Sequence, residues 1–76
     1  MMGGKPLAFV GNGVEVKVEE IQGGKSLGLR LREMGFIDGC IIRMVKNDVG
    51  PLILGVGGSR IILSRGMASK IVVSEM

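Results

Sequence analysis

The chain has no histidine, tryptophan or tyrosine, and only one cysteine, two phenylalanines and two prolines among its 76 residues. Without histidine, the commonest metal ligand and the commonest general base near neutral pH are both missing. A single cysteine cannot close an intramolecular disulfide, so no covalent staple supports the core. Small secreted domains tend to be disulfide-dense, and a reducing cytoplasm is the expected setting. Two phenylalanines offer little for nucleic-acid bases to stack on. Nothing approaches the ~20 apolar residues of a membrane-spanning helix. The longest charge-free stretch, Val49 to Ser59, has 11 residues and holds Pro51 and four glycines. The run Leu7 to Val10 is too short for the apolar segment of a signal peptide. The chain is therefore expected to be soluble, with no membrane insertion.

What is present points to a small folded domain. Apolar residues make up 46% and charged residues 22% of the chain, which argues against disorder. Residues 1–76 are read as one domain, with 1–6 as a flexible arm. A chain of this length buries only about 60% of the surface it exposes when unfolded, so its core is marginal. The net charge is +3, from ten Lys and Arg against seven Asp and Glu, and the cations are spread from Lys5 to Lys70. Spread charge of mixed sign fits a solvated surface, and no nucleic-acid partner is expected.

Val14-Glu15-Val16-Lys17-Val18-Glu19 alternates apolar and charged residues and predicts a half-buried strand, ended by Gly23-Gly24. Lys25 to Met34 reads as a short helix, capped by Ser26, with Leu27, Leu31 and Met34 on one face. Gly35 suits the left-handed residue that closes a helix, and Phe36 then folds back as an apolar contact. Further strands are expected over Cys40–Lys46, Leu52–Val56, Ser59–Leu63 and Ile71–Glu75, with a helical turn over Met67–Lys70. Gly57-Gly58 predicts a two-residue hairpin turn. Its register sets Val56 opposite Ser59, Leu54 opposite Ile61 and Leu52 opposite Leu63, on the core face. About five strands with one inserted helix make a mostly-β fold, a small and strongly bent barrel. Fourteen glycines suit its corners.

Arg30-Leu31-Arg32-Glu33-Met34-Gly35-Phe36, then Gly39, Gly50-Pro51, Gly58, Leu63, Ala68 and Ile71-Val72-Val73 resemble, in order and spacing, the ferrous iron transport protein A (FeoA) family. The resemblance runs from about Leu7 to Val73. It implies an SH3-like β-barrel and a non-enzymatic cytoplasmic accessory of bacterial or archaeal Fe(II) uptake. Its expected partner is the large membrane permease FeoB, met on the cytoplasmic side. The same module resembles the C-terminal domain of iron-dependent repressors, so a stand-alone metal-sensing regulatory module is the alternative reading.

Motifs that could carry chemistry fall short. Gly23-Gly24-Lys25-Ser26 sits where a phosphate-binding loop would, but Glu19 stands where that pattern needs its first glycine. Gly11-Asn12-Gly13 opens like a dinucleotide fingerprint, but Val16 occupies the third glycine position. A stable Fe(II) site needs several converging imidazole or carboxylate ligands. Glu15, Glu19, Glu20, Glu33, Asp38, Asp48, Glu75 and Cys40 show no spacing that converges, so no metal or other cofactor is expected. Ser64 and Cys40 lack a spaced base, and no catalytic residue is assigned.

The distinctive residues are apolar side chains on outward faces. If Ile42 and Met44 point inward, Ile41 and Val45 point out. If Leu52, Leu54, Ile61 and Leu63 point inward, Ile53 and Ile62 point out, opposite each other across the hairpin. Leu29 lies about 160° around the helix from its apolar stripe. Leu29, Ile41, Val45, Ile53 and Ile62 are therefore the candidate partner-binding residues, for the permease or for a second copy in a homo-oligomer. The competing reading is that the segment Pro6 to Val10 covers one of these surfaces.

Overall fold

The computed structural model describes residues 4–76. In chain order it has β1 (Lys5–Pro6), a 3-10 turn (Leu7–Phe9), β2 (Glu15–Ile21), α1 (Lys25–Glu33), β3 (Ile41–Lys46), β4 (Leu52–Val56), β5 (Ser59–Leu63), α2 (Arg65–Ala68) and β6 (Ile71–Glu75). The strands form one antiparallel sheet in the order β1-β6-β2-β3-β4-β5. One strand more is present than the sequence suggests. The expected flexible arm of residues 1–6 needs correcting at its end, because Lys5 and Pro6 pair with Val73 and Val72. Residues 1–3 of that arm lie outside the described residues. Lys5 also reaches Glu75 at 2.6 Å, a partly exposed ion pair that adds little to stability.

The period-2 alternation of β2 buries Val16 and Val18 and leaves Glu15 and Lys17 outside. The same alternation in β3 and β4 buries Ile42, Met44, Leu52, Leu54 and Val56. The hairpin register is as the glycine pair predicts, from Val56 opposite Ser59 to Leu52 opposite Leu63. Gly57 and Gly58 both take positive φ, 56° and 85°, the geometry that matches the twist of two short strands.

Helix α1 starts two residues too early for Ser26 to cap it. Its N-cap is Gly24, with no side-chain cap, and Ser26 lies inside the first turn. The helix ends as its sequence foretells. The Phe36 amide donates to the Leu31 carbonyl and the Gly35 amide to that of Arg32, both at 3.0 Å. These are the paired bonds of a glycine-closed helix, with Gly35 at φ 105°. They return Phe36 to the level of Leu31, and both are fully buried. Leu27 and Met34 flank them, half-buried against the same core.

Two other local readings shift. Ser64 caps α2 by accepting from the Met67 amide, so this helix spans Arg65–Ala68 and not Met67–Lys70. The segment Pro6 to Val10 also acts differently from a cover over the outer sheet. A 3-10 turn puts residues three apart on one side. Leu7 and Val10 thus enter the core, and Phe9 is turned out, 75% exposed.

Gly35, at φ 105°, holds a backbone conformation that L side chains rarely adopt. A β-carbon there would lie 3.6 Å from Val56 Cγ1, an ordinary contact, so the cost of Gly35→Ala is conformational. The substitution should destabilise the fold by about 1–2 kcal/mol, read as a lower urea midpoint with an unchanged slope. Leu31→Ala should cost about 2–5 kcal/mol by leaving a cavity.

Candidate functional site

Strands β3, β4 and β5 present one continuous outward face. Across it runs a row set by the register, Arg43 opposite Gly55 opposite Arg60. Gly55 contributes no side chain between the two arginines, which lie two strand spacings or about 10 Å apart, and Val45 Cγ2 would sit 3.9 Å from a β-carbon there. On the hairpin's open side of this row Ile53 faces Ile62. Lys46 pairs with Ile53, because a bulge between Met44 and Lys46 takes Val45 out of the ladder. On the other side Ile41 sits opposite Lys17 of β2.

The candidate residues are therefore brought together only in part. Val45, Ile53 and Ile62 lie at one end of the face, and Ile62 is its exposed member at 69%. Val45 and Ile53 are half-buried. Ile41 is exposed but is separated from them by the arginine row. Leu29 is exposed on the outer side of α1, away from the buried Leu31. Strands β3 to β5 carry three cations, Arg43, Lys46 and Arg60, and no carboxylate. The nearest acidic neighbour in the register is Glu15 of β2, opposite Arg43.

One end of this face is pinned by polar side chains around Asn47. The Asn47 amide nitrogen Nδ2 donates to the Ala8 carbonyl at 2.9 Å and to that of Val10 at 2.7 Å. Its backbone N–H donates to Asn12 Oδ1 at 2.6 Å. Asn12 in turn donates to the Asp48 carboxylate at 3.3 Å, and Arg65 donates to the Asp48 carbonyl. Asn12 thus serves as a tether rather than as part of a nucleotide fingerprint. This clasp holds two further exposed apolar residues, Phe9 and Val49 at 95% exposure, that were not singled out. The 3-10 turn that expels Phe9 has no sequence signal beyond the short apolar run.

No group of three or more Cys, Asp or Glu residues is placed to hold a metal ion among the described residues. Cys40 is half-buried at the mouth of β3, its carbonyl accepting from the Val18 amide at 2.9 Å. Glu15 and Glu19 are exposed, and Glu19 accepts from the Ser74 hydroxyl. No described helix is long and apolar enough to cross a membrane.

A small antiparallel sheet bent around one core, with a short helix after its first long strand, places the chain in the SH3-like class of folds. The sequence profile of the FeoA domain matches residues 5–75. A Methanocaldococcus jannaschii protein named for Fe(2+) transport is 40% identical over 70 residues, covering 92% of this chain and 85% of its own length. The chain belongs to the FeoA family. A crystal structure of an iron uptake regulatory protein, FeoA, superposes with a TM-score of 0.90 at 31% identity, covering 97% of this chain and 99% of the other. The zinc complex of Stenotrophomonas maltophilia FeoA, described as a prokaryotic SH3 domain protein, gives a TM-score of 0.78 at 34% identity, covering 90% and 87%. The manganese regulator SloR shares the fold, with a TM-score of 0.84 at 16% identity over 34% of its length.

Asn47→Ala should destabilise the protein by about 1–3 kcal/mol, because the Ala8 and Val10 carbonyls lose their donor. Asn47→Asp should be no milder, since it points a carboxylate at two carbonyl oxygens. Thermal unfolding of both variants checks this.

Proposed function

We propose that this protein is a non-catalytic cytoplasmic accessory of Fe(II) uptake that works by direct contact with the FeoB-type membrane permease. Membership of the FeoA family supplies the transport system. The observation that carries a contact role is Ile62, 69% exposed on the outward face and set opposite Ile53 across the β4–β5 hairpin. Contiguous exposed apolar surface often marks an interaction site, and Ile62 adjoins the half-buried Ile53 and Val45 at one end of this face. The S. maltophilia relative is put forward as an activating factor of ferrous iron transport, in keeping with an accessory role. The second reading, a stand-alone metal-sensing module, draws on the fold shared with metal-dependent regulators.

Co-purification with the permease, with and without guanine nucleotide, tests the contact. Ile62→Asp should weaken that binding at least about tenfold, while costing about 1 kcal/mol or less in stability because the side chain is already exposed. Unchanged binding would remove this face from the interface. An anaerobic Fe(II) titration separates the two readings. No stoichiometric binding at micromolar affinity is expected for the accessory, and stoichiometric binding would favour the sensor.

A further inference from the structure

The sheet has two edges, and they differ. The β1 edge is two residues long and one of them is Pro6, which has no N–H to offer. Short length and proline are ordinary ways of blunting an edge against pairing. The β5 edge has neither. It runs five residues without proline or glycine and pairs with β4 in unbroken register.

In an antiparallel ladder closed by a two-residue turn, bonded and non-bonded pairs alternate outward from the turn. Val56–Ser59, Leu54–Ile61 and Leu52–Leu63 are then the bonded pairs. The N–H and C=O groups of Arg60 and Ile62 point away from β4, and among the described residues no backbone or side-chain bond is made to them. Both side chains lie on the outward face, exposed. Ile61, on the inner face, is only half-buried, which leaves apolar surface beside the edge.

We propose that the β5 edge is a strand-addition site for an extended acidic segment of another protein. The segment would pair its backbone with Arg60 and Ile62, as in strand addition generally. It would set a carboxylate beside Arg60, with Arg43 across Gly55, and two residues further on a β-branched residue beside Ile62. Charge selects this occupant over a second copy of the chain. Strands β3 to β5 carry three cations and no carboxylate, and the whole chain is +3, so pairing two β5 edges brings like charges together. The inference goes beyond the proposed permease contact and stands whether or not the permease owns the segment.

The test is amide hydrogen exchange on the full chain with two synthetic hexapeptides, one alternating Glu and Val, the other Lys and Val. The Ile61 amide, bonded within the hairpin, is the internal reference. The acidic peptide should slow exchange at the Arg60 and Ile62 amides at least about tenfold relative to Ile61, the basic peptide should not, and added salt should weaken the effect. Ile62→Pro should abolish the response, and Arg60→Glu should transfer it to the basic peptide. The proposal is overturned by unchanged exchange, by equal slowing with both peptides, or by an Arg60→Glu protein that still prefers the acidic one. Slowing without peptide that rises with protein concentration would assign the edge to a second copy and overturn it too. Permease co-purification is read separately, so either result can fail alone.

Discussion

Phe36 is the largest side chain in the core, and three residues of backbone fix its place. Helix α1 would run past the sheet if it continued. Gly35 stops it in a conformation that other residues adopt only with strain, and the two closing hydrogen bonds swing Phe36 back beside Leu31. In a chain with one buried aromatic, that placement decides whether the barrel is filled. The outer face depends on it indirectly. A strand can hold hydrophobic residues out in water only if its other face is anchored firmly, and Ile42, Met44, Leu52 and Leu54 on the inner face share one cluster with Phe36 and Leu31.

The same alternation that builds the core arranges the outside. Each inward residue of β3 to β5 forces its neighbours outward, and here those neighbours are arginine, lysine, isoleucine and one glycine. The polar clasp around Asn47 then fixes the end of this face against the first residues of the chain. Core and clasp act on different parts of the molecule. The core sets which way side chains point, and the clasp joins the β3–β4 loop, the N-terminal segment and α2, which a small barrel would otherwise leave to fray.

Much of this was legible in the residues because local rules agree with the fold. The Gly57-Gly58 register, the closure at Gly35 and the alternation of Val16 and Val18 are set within a few residues, so the sequence states them directly. The capping of α1 by Ser26 was misread because Gly24, at a positive φ of 93°, serves as the boundary without any side chain. Strand β1 was missed because two residues carry no period. The role of Asn47 was not legible, since its partners lie 35 to 39 positions away. The candidate patch was legible residue by residue but not as a surface. Splitting Ile41 from Ile53 and Ile62 required the cross-strand order, which places the Arg43–Gly55–Arg60 row between them.

That row changes what kind of surface the candidate site is. A uniformly apolar wall would attract any hydrophobic partner, including another copy. Three cations set among exposed isoleucines add a repulsive element against self-association and an attractive one for carboxylates, and specificity commonly needs both. The charges are exposed, so they guide encounter and orientation more than they hold the complex. Holding must come from groups that lose water on contact, and Ile62 is placed for that, with the unpaired backbone of its strand alongside. A domain this small has little surface to spare, and here apolar contact, charge and open backbone coincide on a single strand.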